Sequence, residues 1–193
     1  MKRIVLIPVL LFAASSAYCE SNGWYAGASL GRAHYQETCD GIRSRGFIGS
    51  CDDVDLGWRV WAGRELTDHL GVELGYVDFG NVQGTRTPPG AFDVDGSIHG
   101  WTLHGVLSWP VNDEVAVFGK AGLIVAKVAA DTSTGFHGRD TDIAPGAGAG
   151  VTYRLTDQLN LRAEWEFFGK VGDPSITGDD TVDLMSVGLE YHY

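Results

Sequence analysis

The sequence predicts an all-β chain: an eight-stranded antiparallel up-and-down transmembrane β-barrel with three short periplasmic turns and four longer extracellular loops. Three observations carry this. From Trp24 onward nearly every apolar stretch alternates with period two, and stripes at helical spacing are missing. The alternating segments number eight, each about 9 to 11 residues long, the length a tilted strand needs to cross a bilayer. Connections between them run short, long, short, long, which puts all the long ones at one end. A soluble sandwich has no reason for that asymmetry.

The elements follow in order. Lys2 and Arg3 precede the apolar run Ile4 to Ala14 and then the small residues A-A-S-S-A, the layout of a secretory signal peptide. Residues 1–19 are assigned to the signal and 20–193 to the barrel domain, with cleavage after Ala17 or after Cys19. Bulky Tyr18 argues against lipid attachment at Cys19. The first strand, 24–32, sets Trp24, Ala26, Ala28 and Leu30 on one face and Tyr25, Gly27, Ser29 and Gly31 on the other. Cys39 and Cys51 then remain as an even pair in a polar segment of an exported chain, and a disulfide between them is expected.

Residues 56–64 oppose Leu56, Trp58, Val60 and Ala62 to Gly57, Arg59, Trp61 and Gly63, and 70–76 oppose Val72, Leu74 and Tyr76 to Gly71, Glu73 and Gly75. The pattern continues through Trp101 to Trp109, Val115 to Val125, Ala147 to Tyr153, Leu159 to Phe167 and Met185 to Tyr193. Short turns are read at 66–70, 110–114 and 155–159; the long segments are 36–54, 80–97, 128–142 and 169–182.

The direction of the apolar face decides between a soluble and a membrane barrel. The polar parity carries Arg59, Glu73, Lys120, Arg162, Glu164 and Glu166, three positive and three negative, among many glycines. Long charged side chains beside glycines suit a crowded interior where charges pair across strands, so this parity is assigned to the lumen. Trp24, Trp109, Tyr153 and Tyr193 fall at the turn end, and Trp58, Trp101, Trp165 and Tyr76 toward the loop end, as two interfacial belts. Trp61, on the lumen parity, is read as internal filler.

A formal charge of -11 argues against nucleic acid, which needs a lysine and arginine excess. G-A-G-A-G at 146–150 leads into a strand without a helix and is no nucleotide loop. The six histidines are scattered, His104 reading as a polar interior group, so no metal, cofactor or catalytic residues are assigned. Loop carboxylates such as Asp52, Asp53, Asp179 and Asp180 read as solvated charge.

The segments G-W-Y-A-G-A-S-L-G (23–31), L-G-V-E-L-G-Y (70–76), L-R-A-E-W-E-F (161–167) and the terminal M-S-V-G-L-E-Y-H-Y resemble the OmpA-type eight-stranded transmembrane domain. The resemblance covers Gly23 to Tyr193 and implies an outer-membrane barrel with a plugged polar interior, acting as a structural protein, weak pore, adhesin or receptor. Glu73 and Arg162 match a pair of the family's interior, and Glu164 and Lys120 its other charged lumen positions. A second lysine–glutamate pair would fall at Val106 and Thr152, where both partners are missing. The peptidoglycan-binding domain of many relatives is expected to be absent after Tyr193. Met185, Val187, Leu189, Tyr191 and Tyr193 resemble the terminal signal recognised by the outer-membrane assembly machinery, with Ser186, Gly188, Glu190 and His192 facing the interior or its mouth.

The functional expectation is a non-enzymatic, monomeric barrel in contact with the lipid bilayer and lipopolysaccharide, whose loops meet a host or phage ligand. It forms at most a narrow pore. The alternative is a lipid A-modifying barrel enzyme, which needs an activated nucleophile at the outer interface; no outward His and Ser two apart on one strand supply it. A soluble lipocalin-like carrier is the third reading.

Overall fold

The computed structural model describes residues 23–35, 49–52, 54–86, 92–132, 137–171 and 180–193. The proposed signal peptide and Cys39 lie outside them. Among the described residues nine strands are present: β1 (Trp24–Tyr35), β2 (Gly49–Asp52), β3 (Val54–Glu65), β4 (Leu70–Arg86), β5 (Phe92–Pro110), β6 (Val115–Thr132), β7 (His137–Arg154), β8 (Leu159–Val171) and β9 (Asp180–His192). Eight of them close a ring, because β1 pairs antiparallel with both β3 and β9 while β4 pairs with β5. Closure leaves no open edge within the bilayer, the condition lipid imposes on strands. The short β2 pairs with the outer end of β4, Cys51 standing opposite Gly84.

The three turns share one construction. Leu70, Val115 and Leu159 each donate a backbone N–H to a side-chain oxygen three residues earlier, on Thr67 (3.0 Å), Asn112 (2.8 Å) and Thr156 (3.0 Å). Thr and Asn side chains can both stand in for a backbone acceptor, so V-N-D folds as L-T-D does.

Strand limits at the turn end match the sequence reading closely, but the loop ends do not. β4 runs on to Arg86, β5 begins at Phe92, β6 ends at Thr132 and β7 begins at His137, so much of the segments read as loops at 80–97 and 128–142 is strand. The reason is a change of phase in the alternation. Toward the turns the outward residues are apolar: Trp101 is 57% exposed, Leu103 56% and Met185 63%. Toward the loops the inward residues become apolar instead, with Val77, Phe79, Ile98, Ile124, Ala126, Val128 and Ala144 all buried. Asp78, His99, Lys127 and Thr141 face outward there. The barrel is therefore patterned as a membrane barrel at one end and as a soluble one at the other.

The aromatic belts bracket the lipid-facing zone. Tyr76 lies between Trp58 and Trp101, with ring centroids 5.6 and 5.3 Å away. Trp109 lies eight residues further along β5 than Trp101, about 27 Å of strand, or roughly 20 Å of height at a usual barrel tilt.

Candidate functional site

The interior is layered. At mid-height the inward positions of β3, β4, β6 and β8 bring Arg59, Glu73, Lys120, Arg162, Glu164 and Glu166 into one cluster, each side chain at most 3% exposed. Arg59 pairs with Glu73, with Glu164 at 2.9 Å and with Glu166 at 3.4 Å. Lys120 Nζ lies 2.8 Å from Glu164 and 2.7 Å from Glu166. Arg162 reaches Glu73 and Glu164, both at 2.9 Å. Charges taken out of water are tolerated only when each is met this way.

Glycine makes the room. Gly148 sits opposite Lys120 on one side and Glu166 on the other. A Cβ there would lie 3.0 Å from Lys120 Cε and 3.2 Å from Glu166 Cγ. Gly27 does the same for Trp61, whose indole crosses β1 and donates its Nε1–H to Glu190 Oε2 on β9 (3.0 Å). Trp61 is therefore more than filler: the guanidinium carbons of Arg59 and Arg162 stand 5.0 and 4.8 Å from its ring.

Glu190 is a seventh member of the charge network, beyond the six that parity on β3, β4, β6 and β8 assigned. Its Oε2 accepts from Arg162 Nη1 at 2.6 Å, and its Oε1 lies 3.0 Å from His192 Nε2. The available signal was its shared parity with Ser186 and Gly188 on the terminal strand. Val106 and Thr152 carry no charge into the cluster; Val106 is buried, and the Thr152 hydroxyl donates to the Ala116 carbonyl at 3.5 Å.

Toward the loops the interior changes character, which corrects the expectation of a polar lumen throughout. Beside the charges stand Ser29, His104 and Ser186, opposite Arg59, Glu73 and Glu164 in register, and Thr102; their buried polar atoms have no hydrogen-bond partner among the described residues. Then comes the apolar layer, in which Phe79 and Phe168 meet edge to face at 5.3 Å among Tyr35, Ile124, Val182 and Leu184. Burying these inward side chains fills the upper barrel as a core, not a channel.

Toward the turns the interior opens into a vestibule of about 390 Å³ lined by Tyr25, Val106, Phe118, Arg162, Glu190 and His192 and rimmed by the three turns. Outside, Met185, Val187, Leu189 and Tyr193 of the terminal stretch are exposed and Tyr191 is half-buried. Tyr193 donates its N–H to the Trp24 carbonyl at 3.0 Å. Among the described residues no group of three or more His, Cys, Asp or Glu is arranged to hold a metal ion.

A family model described as the OmpA-like transmembrane domain matches residues 19–193. Outer membrane protein A of Salmonella typhi is 29% identical over 186 residues, covering 90% of this chain and 49% of that protein. Outer membrane protein A of Escherichia coli O157:H7 is 28% identical over 181 residues with the same coverage, so the chain spans about half the length of these relatives. Among solved structures, Neisserial surface protein A superposes with a TM-score of 0.63 at 16% identity, over 89% of this chain and 97% of that one. The N-terminal β-barrel domain of Pseudomonas aeruginosa OprF gives 0.55 at 13% identity, over 90% and 100%. Yersinia pestis Ail, the attachment invasion locus protein, solved with a heparin analogue, gives 0.52 at 16%, over 88% and 99%.

Proposed function

Because the chain belongs to the OmpA-like transmembrane domain family and is an integral outer-membrane β-barrel, we propose that it serves the envelope through its wall and its loops, not by transport or catalysis. The observation that carries this is the filled interior: a charge-paired layer and an apolar layer lie in series between the two mouths. An ion crossing it would have to separate buried ion pairs and then pass side chains that offer it no ligands. The apolar band between two aromatic belts anchors the barrel in the bilayer, and the strands carried past it hold the loops clear of the membrane for adhesion or ligand contact.

In this reading residues 1–19 act as a cleaved export signal, with 20–193 forming the barrel. Cys39 and Cys51 are bonded, lipopolysaccharide surrounds the wall, and the barrel works as a monomer. The alternating Met185, Val187, Leu189, Tyr191 and Tyr193 are read by the assembly machinery. Planar-bilayer recording tests the core of the proposal: wild-type barrels should pass only small, intermittent currents. Glu73→Gln, which removes a carboxylate shared by Arg59 and Arg162, should raise single-channel conductance. Large steady wild-type currents would overturn the proposal, and an unchanged current in the variant would remove Glu73 from any gating role.

A further inference from the structure

The buried cluster is not electrically balanced. Arg59, Lys120 and Arg162 meet four carboxylates, Glu73, Glu164, Glu166 and Glu190, so one negative charge is left over. The excess sits where it can be reached, since Glu190 lines the vestibule. Its Oε2 is taken by Arg162 and Trp61, while among the described residues its Oε1 is met only by His192, a cation only when protonated.

The rim of the vestibule is acidic on balance, with Glu65, Asp68, Asp113, Glu114 and Asp157 against Arg154. Each turn presents one carboxylate at the same place in the repeated construction; Asp68, Asp113 and Asp157 all line the opening, and none has an ion-pair partner among the described residues. The wall between floor and rim is partly apolar, with Val106 and Phe118. Tyr25, 6% exposed, also lines the cavity, and its hydroxyl has no hydrogen-bond partner among the described residues. That oxygen opens onto the cavity, where a ligand donor can take the place of water.

Carboxylates at both ends, an apolar wall and an idle acceptor together fit an aliphatic chain with an ammonium at each end. We propose that the turn-side vestibule binds linear alkyl polyamines, one ammonium resting on Glu190 and Tyr25 and the other held by the carboxylates of the turns. The bound cation neutralises the one charge by which the buried carboxylates outnumber the buried arginines and lysine. The methylenes lie against Val106 and Phe118, which a hydrated metal ion would leave unused.

The test uses the full chain refolded in uncharged detergent, with ¹⁵N-labelled indoles and spermidine as the probe. The Trp61 Nε1–H resonance, assigned by its loss in Trp61→Phe, reports on the Glu190 carboxylate it contacts. Spermidine should shift it saturably, and NaCl or MgCl₂ at matched ionic strength should not. The exposed triple variant Asp68→Asn, Asp113→Asn, Asp157→Asn should weaken binding by about tenfold, because it removes three of the five rim carboxylates and leaves Glu65 and Glu114. Glu190→Gln should abolish saturation; where that variant fails to regain folded gel mobility, the triple variant and Tyr25→Phe decide. No saturable shift, an equal shift with magnesium, or unchanged affinity in the triple variant would overturn the proposal.

Discussion

Replacing Lys120 by methionine removes one cation while nearly preserving volume, and the structure sets the consequence. Lys120 Nζ lies 2.7 Å from Glu166, 2.8 Å from Glu164 and 3.9 Å from Glu73, with its side chain fully buried. Each of the two close contacts is worth about 6 kcal/mol of Coulomb energy at an effective dielectric constant of about 20. Most of that is offset in the native barrel by the cost of removing three charges from water. The variant forfeits the attraction but keeps the buried carboxylates, so a destabilisation of about 3 to 5 kcal/mol is expected. Adding Glu166→Gln restores the wild-type excess of one negative charge, and the double variant should recover about 1 to 3 kcal/mol of that loss as coupling. Reversible urea unfolding of barrels in lipid vesicles, followed by tryptophan fluorescence and heat-modifiable gel mobility, measures all three. A single-variant loss below about 1 kcal/mol, or a double variant no better than the sum of the singles, would mean that mutual pairing is not what keeps these charges inside.

Phe168→Ala should cost about 3 to 5 kcal/mol in the same unfolding assay, because it empties a fully buried ring site in the apolar layer. Combined with Glu73→Gln it should raise bilayer conductance above either variant alone; an unchanged current would mean that the apolar layer is not the barrier. Deleting Tyr193 removes one backbone hydrogen bond to Trp24, so folded barrels should lose only about 1 kcal/mol while assembly in cells slows markedly; equal effects would leave a seam and no signal. Thiol alkylation before and after reduction should label Cys39 and Cys51 only in the reduced sample, and reduction should cost about 2 to 3 kcal/mol by loop entropy. Labelling without reduction would disprove the disulfide.

Legibility in the sequence followed contrast between the two faces of each strand. Between the belts, Leu103, Leu123 and Leu189 alternate with Thr102, Gly122 and Gly188, and enough of the inward set is polar or glycine for the period to stand out. Past Trp58, Tyr76 and Trp101 the environment outside turns from lipid to water while the inside turns from charge to hydrocarbon. In β6, Leu123 and Val125 face lipid whereas Ile124, Ala126 and Val128 face inward. Adjacent positions of both parities are then apolar, and the alternation vanishes from the sequence where the strand itself continues. Residues 81–86, N-V-Q-G-T-R, and 137–142, H-G-R-D-T-D, read as loop for the opposite reason: they are largely polar on both parities, so no alternation marks them either.

The eight strands of the ring, the turn ends, the lipid-facing parity and six of the seven charges sent inward are written in the order of residues, because each follows from a period-two pattern and the single choice of which face meets lipid. How those charges combine is settled in three dimensions. Arg59 on β3 and Glu164 on β8 meet at 2.9 Å across the barrel, and Trp61 reaches Glu190 over Gly27, contacts set by ring closure and register that no local pattern encodes. The stratification of the interior into vestibule, charge cluster and apolar layer has the same origin. Height within the barrel depends on where neighbouring strands place their inward residues side by side, and no one strand read alone contains it.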